Sequence, residues 1–378
     1  MKLGILTFHS VDNFGAVLQA FALQHYLESQ GHEVEIIDYR PAYFEASRKW
    51  SWRPDRMLGR FLMNWQARKF EDFRRRYLKR TAPCWTAKDL EANLPRYDAV
   101  IVGSDQVWSP DVDRRKETDP IYFFRWDLPS GTRKIAYAAS FGTDRVSAQH
   151  IASVQEGLSN IDVISVREAT GVGIVKELTD RDAKWVCDPV FLLSGAQWRK
   201  LAAAPESRGK EIMVYMPPAM GVLQALARQL HTKVVLPGWN VLYLLKRRLG
   251  ICFPSPLQWV SRIAASRGVI TKSFHGTAFC ILTHTPFVYI RPSGSAGSRA
   301  TRVVDLLVRL GLSARMVDED TVIPVQLANL LRMNIDWQSV ENSLKSYCED
   351  SQVFLRAALG RNDVFERLPI YELRRYAK

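Results

Sequence analysis

Cysteine is scarce in this 378-residue chain, which carries five, at positions 84, 187, 252, 280 and 348, with no Cys-x-x-Cys pair among them. An odd number at such spacings excludes a fully paired disulfide scaffold and a zinc ribbon, and it fits a reducing compartment. Long apolar runs are missing as well. None approaches the roughly 20 residues that a membrane-spanning helix needs, and the apolar run before His9 and Asp12 is too short for a secretory signal. The expectation is a cytoplasmic protein. There is no internal repeat and no low-complexity segment. With 47% hydrophobic and 24% charged residues, the chain has the make-up of a folded, soluble protein rather than a disordered or fibrous one. At about 100 to 200 residues per domain, its length calls for two or three domains.

What the chain has in excess is positive charge, at +13 overall, which favours anionic partners. Much of this is local. From Arg48 to Arg80 twelve basic residues face Asp55, Glu71 and Asp72, a net of +9. The same stretch is interleaved with Trp50, Trp52, Trp65 and Phe70. Such a segment suits an interfacial helix on anionic lipid or a single-stranded nucleic acid. It equally suits a solvated helix packed by its aromatic face.

Along the chain, Leu3 to Phe8 has the pattern of a buried strand. A polar loop follows, then a helix with Ala16, Ala20, Leu23 and Leu27 on one face and Gly31 as its stop, then a strand at Val34 to Tyr39. Strand, helix and strand within about 40 residues make a right-handed βαβ unit on a parallel sheet. The same grammar returns at Tyr97 to Gly103, Lys134 to Ser140, Asp162 to Val166 and Lys184 to Cys187. A second run covers Glu211 to Met216, Lys233 to Leu236, Gly268 to Thr271 and Pro286 to Arg291. The predicted class is α/β with two Rossmann-like units. Their domains are 1–195, with a basic helical insertion at 45–95, and 196–335, followed by a helical tail at 336–378.

Open parallel sheets bind ligands at the carboxyl ends of their strands, where loops lead into helix N-termini. The loop His9 to Gly15 has one glycine where a dinucleotide fingerprint needs three, so NAD or FAD is poorly supported. It also fits a plain turn capped by Asn13. Gly103-Ser104-Asp105-Gln106 follows an apolar strand and suits either a sugar or phosphate contact or ordinary turn chemistry. His275, in Ser273-Phe274-His275-Gly276-Thr277, falls at a helix start beside the same edge. Histidine suits proton transfer near neutrality, although a lone histidine is more often structural. Arg167, Arg291, Arg299 and Arg302 are candidate clamps for an anionic substrate.

Taken in order, several stretches resemble the polysaccharide pyruvyl transferase family. They are Gly4-Ile5-Leu6-Thr7-Phe8 with Asn13 to Ala20, Tyr97 to Trp108, Tyr137 to Gly142, Ser165-Val166-Arg167-Glu168, Asp188-Pro189, and Ser273 to Thr277 leading to Pro286-Phe287. The resemblance implies two Rossmann-like domains facing a cleft, as in GT-B glycosyltransferases. It implies transfer of a pyruvyl group from phosphoenolpyruvate to a sugar of a bacterial cell-surface or exopolysaccharide precursor, as a ketal. No cofactor is expected beyond phosphoenolpyruvate as co-substrate, and no metal ligand is assigned.

By the same resemblance His275 is the acid/base, and Lys272, Ser273, Gly276, Thr277, Arg167, Arg291 and Arg299 face phosphoenolpyruvate. His9, Asn13, Gly15, Ser104 and Asp105 face the acceptor. Many relatives carry arginine where this chain has Ser273, which leaves the phosphate ligand open. A polyprenyl-diphosphate-linked acceptor and the basic segment together suggest peripheral contact with the inner face of the membrane. Nucleic acid has only the charge in its favour. Two rival readings are a glycosyltransferase using a nucleotide sugar and a degenerate glycan- or anion-binding protein without turnover.

Overall fold

The computed structural model describes residues 1–45, 57–110, 117–202, 209–237, 249–294 and 300–360. Two six-stranded, all-parallel sheets organise them. The first holds β1 (Lys2–Leu6), β2 (Glu33–Ile36), β3 (Ala99–Val102), β4 (Arg133–Ala139), β5 (Val163–Val166) and β6 (Lys184–Trp185), in the order β2-β1-β3-β4-β5-β6. The second holds β7 (Glu211–Tyr215), β8 (Lys233–Pro237), β9 (Leu249–Cys252), β10 (Gly268–Thr271), β11 (Phe287–Arg291) and β12 (Met316–Asp318), in the order β12-β11-β10-β7-β8-β9. Helices cover both faces of such sheets, so central strands carry unbroken apolar runs. All four residues of β3 and of β10 are buried.

Strand order reverses between β1 and β3 in the first sheet and between β7 and β10 in the second, and ligand crevices open at such reversals. The loop that leaves β3 holds Ser104, and the one that leaves β10 leads into the helix whose first turn carries His275. β9 and β12 were not expected from the sequence. Each is a short edge strand, and β12 has only Met316, Val317 and Asp318 to show a pattern.

The helix Phe14–Ser29 occupies the seam between the lobes. Asn13 caps it, its Oδ1 accepting from Ala16 N at 3.2 Å. The sequence suggested one buried face, yet from Phe14 to Leu27 every side chain but His25 is buried. A helix enclosed on all sides is mostly apolar, with Gln19 and Gln24 of this one satisfied by internal hydrogen bonds, and it has the first sheet beside it and the second lobe across it. Phe14 stacks on Trp259 at 4.9 Å and tilts against Phe70 at 5.0 Å, while Tyr215 meets Trp259 at 5.2 Å. Aromatic pairs of this kind add about 0.5–1.5 kcal/mol each beyond burial, so the cluster ties the lobes together.

Two further elements cross the seam. From the helix Met57–Tyr77, Gln66 Nε2 donates to Pro254 O at 2.7 Å and Lys69 Nζ donates to Phe253 O. Part of the basic segment, residues 46–56, lies outside the described residues. The helix Trp337–Leu359 returns to the first lobe, where Tyr347 Oη donates to Val186 O at 2.7 Å and Ser351 Oγ accepts from Cys187 N at 2.9 Å. Residue 195, the expected domain boundary, begins the helix Gly195–Leu201 between β6 and β7.

Candidate active site

The site is built where the two carboxyl edges meet. Ser104, fully buried after β3, is braced on every side: its N–H donates to Gln19 Oε1 at 3.2 Å and its carbonyl accepts from Thr7 Oγ1 at 2.9 Å. Its hydroxyl lies 2.9 Å from Ala138 O and 3.1 Å from Asp188 Oδ2, and donates to one at a time. The next residue, Asp105, has φ +74. Its Oδ1 accepts from Arg167 Nη2 at 3.3 Å.

Asp188 is the hub. Its Oδ1 accepts from Val190 N at 3.1 Å and so starts the turn Pro189–Leu192, while Oδ2 accepts from Arg167 Nη1 at 2.7 Å. His275 Nε2 stands 3.4 Å from the same Oδ2. At that distance the contact is an ion-pair approach rather than a well-formed hydrogen bond, and Nε2 is a buried atom with no hydrogen-bond partner. Burial pushes the Asp188 carboxyl up, but the charges of His275 and Arg167 outweigh it and hold the group well below the usual carboxylate range. Asp188 is therefore an anion beside the imidazole.

His275 arrives in the first turn of the helix Phe274–Thr283. Ser273 caps that helix, its Oγ accepting from Gly276 N at 3.3 Å, and Thr277 Oγ1 donates back to Ser273 O at 3.0 Å. Across the seam the ring rests on Gly15, where an added Cβ would come within 2.0 Å of Nδ1. Only a residue without a side chain fits there. His275 is 7% exposed. The Arg167 guanidinium covers the neighbouring Phe274 ring at 4.6 Å.

Of the residues expected at the site, Gly15, Ser104, Asp105, Arg167, Ser273, His275 and Gly276 gather at this seam, with Thr277 buried behind them. Others are engaged elsewhere. Lys272 pairs with Glu319, and Arg291 Nε donates to Asp318 Oδ1 at 2.6 Å on an exposed strand end. His9 is sealed at 0% exposure, with Nδ1 3.1 Å from Thr7 O and Nε2 2.9 Å from Asp38 Oδ1. Asn13 has its side-chain oxygen on the helix it caps. Arg299 lies outside the described residues.

Two carboxylates in the stretches that carry the family resemblance, Asp188 and Glu168, were assigned no role from the sequence. Asp188 follows a two-residue strand and sits in no periodic pattern, so spacing carries no signal for it. Glu168 is fully buried beside Arg167, with Oε1 accepting from Ser140 Oγ at 2.9 Å and Phe141 N at 3.0 Å. Burial pushes its carboxyl up, against the pull of Arg167 and Arg302. Among the described residues no cluster of His, Cys, Asp and Glu is suited to hold a metal ion, and no helix is long and apolar enough to cross a membrane. The arrangement offers an imidazole ring, an anion beside it, and helix N-termini that favour negative charge.

Among solved structures, the chain is similar to a Listeria monocytogenes protein named as a UDP-N-acetylglucosamine 2-epimerase. The TM-score is 0.55 at 10% identity, over 96% of this chain and 97% of that one. The UDP-GlcNAc 2-epimerase of Methanocaldococcus jannaschii gives a TM-score of 0.48 at 11% identity, over 94% of this chain and 100% of that one. The glycosyltransferase SnogD from Streptomyces nogalater gives 0.46 at 13%, over 95% and 99%. Such likeness is one of fold, the two-lobed GT-B-like arrangement. No functionally curated protein matches the sequence. The sequence profile described as polysaccharide pyruvyl transferase, however, matches residues 13–294, from the Asn13 cap past His275 and its helix, and the chain belongs to that transferase family.

Proposed function

We propose that this protein transfers a pyruvyl group from phosphoenolpyruvate to two hydroxyls of a sugar, forming a ketal on a cell-surface or exopolysaccharide precursor. The observation that carries the reading is the seam arrangement of His275 against Asp188 in a member of a pyruvyl transferase family. His275 is the acid: it delivers a proton to the methylene carbon of phosphoenolpyruvate, turning it into a methyl group and leaving an oxocarbenium-like centre at the adjacent carbon. One sugar hydroxyl adds there and gives up its proton. The bond from that carbon to the bridging oxygen then breaks, inorganic phosphate leaves, and the second hydroxyl closes the ketal with loss of its own proton. The two hydroxyl protons balance the one taken from the acid and the one gained by the phosphate.

Asp188 stands as an anion beside the ring, and Arg167 keeps Asp188 in place. The backbone N–H groups opening the helix Phe274–Thr283 face the negative charge of the donor, where Ser273, Gly276 and Thr277 sit. Lys272 and Arg291 already hold acidic partners, so a donor contact there requires exchange of an ion pair. On the opposite lobe, Asp105, Ser104 and the Gly15 turn line the acceptor side. The exposed Trp65 and Trp85 with Arg75 and Arg76 support a peripheral approach to an anionic membrane and a lipid-linked acceptor.

The test is phosphate release from phosphoenolpyruvate that depends on an acceptor, with mass spectrometry showing a pyruvyl ketal on the sugar. His275→Gln should slow both by a factor of about 10²–10⁴ while leaving the melting temperature within a few degrees. Consumption of a nucleotide sugar with phosphoenolpyruvate untouched would favour the glycosyltransferase reading, and turnover of neither would favour a binding protein.

A further inference from the structure

Three carboxylates stand around Arg167, and they differ in what their oxygens have left to offer. Asp188 is fully engaged: Oδ1 accepts from Val190 N, and Oδ2 meets Arg167, Ser104 and the approach of His275. Glu168 accepts from Ser140 and Phe141 through Oε1, and its Oε2 is enclosed, out of reach of any ligand. Asp105 is the third. Its Oδ1 accepts from Arg167 Nη2 at 3.3 Å and from Gln106 N at 2.9 Å, whereas no described residue donates to its Oδ2. The Asp105 side chain keeps 16% of its surface open, against 0% for Asp188. Of the three, only Asp105 presents an open oxygen.

The fold holds that oxygen in place. Asp105 has φ +74, a left-handed conformation that aspartate tolerates better than most side chains. Its carbonyl accepts from Val107 N at 2.8 Å and from Ser140 N at 3.0 Å. The guanidinium that binds its Oδ1 also covers the ring of Phe274, at the start of the helix carrying His275. Arg167 thereby ties Asp105 to the seam, with Asp188 between the guanidinium and the imidazole.

We propose that Asp105 is the general base of the reaction, its Oδ2 taking the proton of the attacking sugar hydroxyl while His275 serves as the acid. This deepens the pyruvyl transfer proposed above and rests on it. As the hydroxyl oxygen bonds to the carbon that bears the phosphate, its proton passes to Asp105. The carboxylic acid so formed gives that proton to the bridging oxygen as the carbon–oxygen bond breaks and phosphate leaves. The second hydroxyl closes the ketal, and its proton restores His275. Both side chains end in the state in which they began.

The experiment follows phosphate release from phosphoenolpyruvate with p-nitrophenyl hexosides as acceptor probes, for the wild type, Asp105→Asn and Asp105→Gly. Asparagine keeps a carbonyl for Arg167 and Gln106 but loses the basic oxygen. Its kcat should fall by about 10²–10⁴, with the KM for the hexoside and the calorimetric affinity for phosphoenolpyruvate unchanged. Glycine suits the left-handed backbone and leaves a gap. Formate, a small carboxylate, should restore turnover to Asp105→Gly in a saturable way and leave the wild type unaffected; this arm decides the matter if the asparagine variant does not fold. A structural brace would be served by asparagine. A kcat near the wild-type value in Asp105→Asn, a loss confined to KM, or no response of Asp105→Gly to formate overturns the base and leaves pyruvyl transfer standing. A wild type that neither binds phosphoenolpyruvate nor releases phosphate removes pyruvyl transfer and the base with it.

Discussion

Two histidines in this protein share one set of partners and differ in what the fold leaves open to them. His9 follows β1 and meets Asp38, which is held in turn by Arg40 through bonds of 2.8 and 2.7 Å. His275 follows β10 and meets Asp188, which is held by Arg167 at 2.7 Å. Both are His–Asp–Arg chains at carboxyl ends of parallel strands. His9, however, has each ring nitrogen within hydrogen-bonding distance of a partner inside one lobe and no exposed surface. His275 has a glycine against one nitrogen and a loose approach to a carboxylate at the other, and it lies between lobes. On the proposed function, residue type and partner chemistry do not separate the acid from the structural brace. The seam does, because that is where a ligand can enter.

The comparison breaks most visibly if the two rings are exchanged for amides. His275→Gln should cost a factor of about 10²–10⁴ in turnover, the usual share of general acid catalysis, with little change in melting temperature. His9→Gln should instead lower stability by about 1–3 kcal/mol, through a buried hydrogen bond left imperfect, and retain turnover in the folded fraction. Parallel activity and calorimetric melting curves check both, and equal activity losses would erase the distinction.

Asp188→Asn sharpens it further. Removing one partner of a buried ion pair costs about 3–5 kcal/mol, and the ring also loses the anion beside it. Lower stability and a turnover loss smaller than that of His275→Gln are expected. The same change at Asp38 should lower stability with turnover preserved.

Gly15→Ala is a gentler probe of the seam. The new Cβ would fall 2.0 Å from His275 Nδ1, so the ring must move or the lobes part. Turnover should drop severalfold while chemical denaturation shows a loss of about 1–3 kcal/mol, the usual range for overpacking. An unchanged rate would mean that the ring is not held against this glycine during turnover.

The smallest effect is the one the two chains share. Burial pushes the carboxyls of Asp38 and Asp188 up, but His9 with Arg40 and His275 with Arg167 outweigh it and hold both well below the usual range. Their folded pKa values are depressed, so their contribution is complete above the ordinary aspartate value of about 3.9 and fades as pH falls through the lower folded values. Melting temperature should accordingly decline below about pH 4. Loss of stability already near pH 6 would point to other groups.

Much of the frame was legible because it obeys period and burial. The run Ala99 to Val102 and the run Gly268 to Thr271 each name a buried parallel strand, and Ser273 before an apolar stretch names a helix start. Edge strands such as Met316–Asp318 are too short to show a period. The seam helix was misread as one-faced because its second buried face belongs to a contact between lobes, made by residues far apart in sequence such as Phe14 and Trp259. Asp188 escaped for the same reason: its significance is its position between Arg167 and His275, which lie on different lobes. Local pattern reports local structure, whereas this site is assembled by distant pairing.

The most direct test is the reaction run in heavy water with phosphoenolpyruvate and an acceptor sugar, followed by mass spectrometry of the product. If an acid delivers a solvent-derived proton to the methylene carbon, the ketal methyl group carries one deuterium in the wild type, and product forms about 10²–10⁴-fold more slowly with His275→Gln. A pyruvylated product without deuterium, or formed equally by the His275 variant, would contradict the account.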